Sequence, residues 1–169
     1  MKPLVSIIMG STSDLPVMEK AMKFLDEMEV PFEVNALSAH RTPDAVETFA
    51  KEAAGRGLKV IIAGAGMAAA LPGVIAASTT LPVIGVPIKG SALDGMDAML
   101  SIIQMPPGIP VATVGINGAM NAAILAVEIM ALADEKLADK MKSYKAGLGA
   151  KIEKANKDLA EVKYNFKTN

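Results

Sequence analysis

The chain contains no cysteine, no tryptophan and only one histidine, His40. Without cysteine there is neither a disulfide framework nor a thiolate metal site, and a reducing compartment, the cytoplasm, is expected. A lone imidazole with no thiolate beside it also leaves too few ligands for a structural zinc site, so no metal is expected. Aromatic residues make up 4% of the chain, too few to furnish the stacking surfaces of a flavin site. Charge of one sign is not in excess either: Lys+Arg 17 stands against Asp+Glu 18, a net charge of −1. Nothing there advertises a nucleic-acid partner. The first residues enter a strand pattern directly, so no cleavable leader is expected.

Apolar residues are plentiful, at 51% of the chain, with alanine and methionine supplying much of the total. Such small and flexible side chains allow close packing of helices on a sheet, and their surplus points to extra surface buried between subunits. Charge is absent from Val60 to Ile88, a run long enough for a membrane helix. Gly64, Gly66, Pro72, Gly73 and Pro82 interrupt it, so strand, turn, helix and second strand describe it better. No membrane partner is expected.

Along the chain, Leu4–Met9, Phe32–Leu37, Val60–Ala63, Val83–Val86 and Val111–Val114 read as strands. Between them lie helical patterns: Leu15–Met28, Pro43 to about Gly55, Leu71–Ala77, Met96–Ile103 and Asn121–Ala133. Strands that are almost continuously apolar and alternate with helices form a parallel sheet covered on both faces. The expectation is a three-layer αβα sandwich, flavodoxin-like or Rossmann-like, with about five strands in one domain spanning residues 1–169. Residues 1–133 are its core. Residues 134–169 form a helical tail with a thin apolar stripe, Leu137, Met141, Tyr144, Leu148, Ile152, Leu159 and Phe166 among it. That stripe asks for a partner surface, and a neighbouring subunit is the expected one. Gly147 and Gly149 divide the tail into two expected segments.

In open α/β sheets, ligand-handling residues gather where strands give way to helices. The first strand ends in Gly10-Ser11-Thr12-Ser13-Asp14, where hydroxyls and the free N–H groups of a helix start favour a phosphate. Ser13 and Asp14 are equally natural helix caps there, and by residue preference capping leads. The second strand ends in Ser38-Ala39-His40-Arg41-Thr42-Pro43. Thr42 can cap the following helix and Pro43 suits its first turn. His40 is a proton carrier near neutral pH, and Arg41 a fixed cation suited to phosphate or carboxylate. From placement alone His40 reads equally well as an idle loop residue. The third strand ends on the glycine-lined floor Gly64-Ala65-Gly66. Its match to G-x-G-x-x-A lacks the ribose-binding acid after the next strand, which argues against a dinucleotide site. There is no nucleophile elbow for a hydrolase. Lys89, among glycines, reads as a solvated loop residue or part of a mobile lid.

Taken in order, Met9–Asp14, Ser38–Pro43, Ala63–Gly66 with Leu71-Pro72-Gly73, and Gln104–Pro110 closely resemble the PurE-type enzymes of purine biosynthesis. The resemblance runs from the first strand to about Lys145. It implies conversion of N5-carboxyaminoimidazole ribonucleotide to its 4-carboxy isomer, a nucleotide substrate, no cofactor and a homo-oligomer, usually an octamer. It further implies that Ser11, Ser13, Asp14, Ser38, Arg41, Gly64, Gly66 and Leu71 bind substrate, and that His40 moves the proton. The sibling reaction, carboxylation of free aminoimidazole ribonucleotide by carbon dioxide, usually goes with lysine where this chain has Arg41. A nucleotide-binding oligomer without turnover would keep the serine loop and Arg41 but would not need His40. Two positions depart from the family pattern: Met67 replaces a glycine and Ala70 a histidine.

Overall fold

The computed structural model describes all 169 residues. Five parallel strands, β1 (Val5–Met9), β2 (Phe32–Ala36), β3 (Val60–Gly66), β4 (Val83–Ile88) and β5 (Ala112–Thr113), lie in the order β2-β1-β3-β4-β5. Six α-helices accompany them: α1 (Leu15–Glu27), α2 (Pro43–Ala53), α3 (Leu71–Ala77), α4 (Met96–Ile103), α5 (Ala119–Ala131) and α6 (Glu135–Ala160). The three-layer α/β sandwich is as expected.

Alternation along the strands sends side chains into two cores. Val5, Ile7, Val60, Ile62, Ile84 and Val86 meet α1 and α5 on one face. Ile8, Ile61, Ala63 and Val83 meet α2, α3 and α4 on the other. Ile7, Ile8, Ile61 and Ile62 are fully buried, and truncating one to alanine costs about 2–5 kcal/mol. Two strand glycines make room for this packing. A Cβ on Gly64 would lie 2.5 Å from Met18 Sδ, and one on Gly85 would collide with Ile102.

The fifth strand is shorter than its apolar run implies. Pro110 has no N–H to offer the ladder, and only Ala112 and Thr113 pair with Ile84 and Gly85. The tail also differs from expectation, because α6 runs unbroken through Gly147 and Gly149. A helix-interior glycine costs about 1 kcal/mol and does not by itself end a helix, and neither residue adopts positive φ. Asp134 caps α6 by accepting from Lys136 and Leu137 N–H at 3.0 and 3.1 Å. The first half of α6 packs on its own domain. Leu137 and Met141 are buried, and Tyr144 meets Phe24 edge to face at 5.1 Å. Beyond residue 144 no α6 side chain is buried. No helix is long and apolar enough to cross a membrane.

Candidate active site

The sheet order reverses between β1 and β3, because β2 lies on one side of β1 and β3 on the other. Loops leaving the carboxyl ends of these strands diverge to opposite faces and leave a crevice. A cleft of about 700 Å³ opens there. Its wall includes Gly10, Ser11, Ser13 and Asp14 after β1, Ser38, His40 and Arg41 after β2, and Gly66 and Leu71 around the β3–α3 turn.

The β1 loop is organised by Ser11. It caps a single 3-10 turn, Thr12–Asp14, by accepting from Ser13 N–H at 3.3 Å. Neither Ser13 nor Asp14 supplies that cap, and Asp14 makes no capping bond to α1. The capping explanation of Asp14 therefore fails, and its carboxylate remains at the cleft. Burial raises its pKa above the ordinary aspartate value, while the Ser13 hydroxyl, the Ser11 backbone and the Arg41 charge pull the other way.

The β2 loop ties itself together. Thr42 Oγ1 accepts from Ser38 N–H at 3.0 Å and donates to Ser38 O at 3.1 Å, so it staples the turn instead of capping α2. Ser38 Oγ accepts from both the N–H and the Nε–H of Arg41, each at 3.2 Å. Arg41 Nη2 then donates to Gly10 O at 2.9 Å, joining the β2 loop to the end of β1. One edge of the guanidinium is held while its other donors have no protein acceptor. His40 sits on this turn, exposed, with no protein hydrogen bond to its ring.

Gly64 does not line the cleft. It lies inside β3, opposite Met9 and Val86, where its missing side chain admits Met18. The structure gives Gly64 a packing role inside the sheet. Leu71, only 3% exposed, closes the inner end of the floor.

From sequence, one wall of the site reads only as a solvated lysine or part of a mobile lid, with no site residue assigned to it. Ile88 at the end of β4, and Lys89, Gly90, Ser91 and Ala92 after it, also line the cleft. The change from a wholly apolar strand to a lysine at its carboxyl end was the available signal. Lys89 is anchored at both ends: its N–H donates to Asn117 Oδ1 at 2.9 Å, and its ammonium lies 2.8 Å from Asp94. The bond and charge from Lys89 hold the Asp94 carboxyl below the ordinary range. No group of three or more carboxylate or imidazole side chains is placed to hold a metal ion.

Residues 4–151 match the model of the family described as AIR carboxylase. The chain belongs to that family. A Pyrococcus horikoshii protein named N5-carboxyaminoimidazole ribonucleotide mutase is 55% identical over 161 residues, covering 95% of this chain and 91% of the relative. A Bacillus subtilis protein of the same name is 59% identical over 143 residues, covering 83% and 88%. The phosphoribosylaminoimidazole carboxylase of Candida glabrata is 59% identical over 143 residues, and this chain spans 25% of its length. Among solved structures, Treponema denticola PurE superposes with a TM-score of 0.84 at 33% identity, covering 93% of this chain and 98% of that one. The Gln104–Pro110 segment, which carries part of the family resemblance, lies after α4 and outside the cleft of the single chain.

Proposed function

We propose that this member of the AIR carboxylase family is an isomerase of de novo purine biosynthesis, converting N5-carboxyaminoimidazole ribonucleotide to 4-carboxyaminoimidazole ribonucleotide. The observation that carries the reading is the meeting, at one cleft, of a phosphate-suited arginine, a hydroxyl-rich loop and the only imidazole in the chain. The mutase names of relatives with near-complete coverage support it.

In this reading Arg41 binds the ribose phosphate through the donors it does not spend on Ser38 and Gly10. Charge-assisted bonds of this kind are strong, and a guanidinium held on one edge has less rotamer freedom to lose. Ser11, Ser13 and Asp14 receive the phosphate and sugar hydroxyls, Ser38 acts through its hold on Arg41, and Gly66 and Leu71 form the floor. His40, as imidazolium, donates a proton to the carbamate nitrogen. The N–C bond then breaks, giving an aminoimidazole and carbon dioxide. Carbon 4 attacks that carbon dioxide, and neutral His40 removes the carbon 4 proton, restoring the ring and its own charge. One group serves as acid and then base, and confinement of the gas supplies the orientation.

A second reading, carboxylation of free aminoimidazole ribonucleotide, has the name of the fungal relatives in its favour. Catalytic efficiency on the two nucleotides, measured at matched concentration with bicarbonate varied, separates them. A clear preference for the carbamate is expected, and preference for the free aminoimidazole overturns the mutase assignment.

The proposal includes a homo-octamer in the cytoplasm. Met96, Leu100 and Ile103 on α4, and Leu148, Ile152 and Leu159 on α6, expose apolar side chains that a single chain leaves uncovered, and the tail beyond residue 144 is read as packing on a neighbour. Sedimentation should show a large assembly; a monomer at micromolar concentration contradicts it.

A further inference from the structure

Met67 is the residue on the cleft floor that neither packing nor backbone preference explains. Its φ is +55°, in the left-handed region that side chains with a Cβ seldom occupy. Two tight bonds fix the turn around it: Ala69 N–H to Met67 O at 2.9 Å, and Ala70 N–H to Ala68 O at 2.8 Å. A backbone over-determined in this way keeps its strain, and such strain gathers at ligand clamps. Within the single chain the side chain does not repay the strain by burial, since Met67 is 69% exposed.

Its position is distinctive. Met67 lines the cleft at the β3–α3 turn, and its side chain reaches toward the facing β4–α4 loop. A Cβ built on Gly90 would lie 3.8 Å from Met67 Cγ. The thioether chain thus lies at the seam between the apolar β3–α3 turn and the β4–α4 loop. Beneath it the floor is Ala68, Ala69, Ala70 and Leu71, which has no side-chain hydrogen-bonding group. A methionine is unbranched and readily reshaped, suited to closing over a small apolar guest.

We infer that Met67 is a specificity-determining residue that closes the apolar end of the cleft over carbon dioxide released from the carbamate, favouring recapture at carbon 4 over escape. This rests on the mutase reading above. No group is transferred to Met67. It acts by excluding water and delaying escape while the N–C bond has broken and the new C–C bond has not yet formed. Ala70 is part of the same device, because a small side chain there leaves the guest room under the thioether.

The test uses carbamate nucleotide labelled with ¹³C in its carboxyl group, turned over in excess unlabelled bicarbonate with carbonic anhydrase. Mass spectrometry of the 4-carboxy product then reports how often the original carbon is kept. Wild type should retain most of the label. Met67→Gly should lose it about threefold more often, as expected when confinement is relaxed, with Tm unchanged or higher because glycine relieves the strained φ. Met67→Leu, which keeps the apolar bulk, should retain label nearly as wild type does. Equal retention in wild type and Met67→Gly would overturn the inference, as would full washout in wild type. Label loss in both variants accompanied by lowered Tm would do so too, since it would mark a structural role. Failure of wild type to consume the carbamate at all removes the functional reading itself, and this inference with it.

Discussion

The two ends of the sheet treat their polar residues in opposite ways. At the amino end, each charged group among Glu33, Arg56, Glu29 and Lys140 has a protein partner. Ser6, the one buried polar residue, donates to Glu33 Oε1 at 3.0 Å, and Glu33 in turn pairs with Arg56. Arg56 also lies 5.9 Å from the Phe49 ring centre. Lys140 reaches Met28 O at 2.9 Å and the Glu29 carboxylate. At the carboxyl end Lys89 and Asp94 close on each other, but the polar groups of the β1 and β2 loops are left only partly satisfied. His40 has no partner, Arg41 spends one edge on Ser38 and Gly10, and Asp14 sits half-buried with a raised pKa. Closed polar networks hold a fold in one arrangement. Open ones, placed around a cleft at the switch point of the sheet, reserve their bonding for something outside the protein.

The contrast can be broken at its most exposed point. Replacing His40 with asparagine should lower turnover at least a hundredfold, the usual worth of a positioned acid–base group, while nucleotide affinity stays within a few-fold. Single-turnover assays together with calorimetric titration measure both, and turnover within tenfold of wild type would contradict the assignment.

Arg41→Lys comes next. Lysine keeps the charge but cannot bridge Ser38 and Gly10 while also presenting a planar fork. Substrate binding should weaken about tenfold, a loss of the size expected for a charge-assisted bond, with a smaller change in the chemical step. An altered catalytic rate at unchanged affinity would count against phosphate binding by this residue.

At the other end the readout should reverse. Glu33→Gln leaves a neutral group against Arg56 and weakens the bond from Ser6. Stability should fall by about 1 kcal/mol, as for loss of a part-buried hydrogen bond, with kcat/KM within about twofold, because no catalytic positioning passes through this end. A large loss of activity at preserved stability would erase the distinction between the two ends.

The smallest effect sharpens it. The Asp14 carboxyl has its pKa raised in the fold, chiefly by burial. Its protonated form therefore binds the fold better, and its contribution to stability declines as pH rises from the unfolded value through the raised one. Above that window the ionised group is a small cost to the fold. Asp14→Asn should accordingly raise Tm slightly at neutral pH, lose that advantage at acid pH, and weaken nucleotide binding. A fall in Tm at neutral pH would make Asp14 a structural residue like those at the amino end.

Legibility followed the range of the interactions involved. The strand and helix pattern was readable because continuous apolar runs and helical spacing are local properties, and the structure departs from it mainly at β5 and α6. At β5, Pro110 and the sheet edge curtailed pairing; at α6, two glycines weakened the helix without ending it. The cleft residues Ser11, Asp14, Ser38, His40 and Arg41 were readable because strand ends before helix starts are marked by hydroxyls, charge and proline. The β4 loop was not, since one lysine beside a glycine looks the same in any solvated turn.

By itself the sequence determined the class of fold, the chemical inventory of the strand ends and the uniqueness of His40. All three depend on residue identity and near neighbours. Only the tertiary structure decided that β1 lies between β2 and β3, and that Arg41 reaches back to the carbonyl of Gly10. It alone turned Gly64 into packing space for Met18 and Ser11 into the cap, and it set Met67 against the facing loop. Those outcomes depend on which distant segments become neighbours, and that is settled by long-range pairing and by the exclusion of one side chain by another.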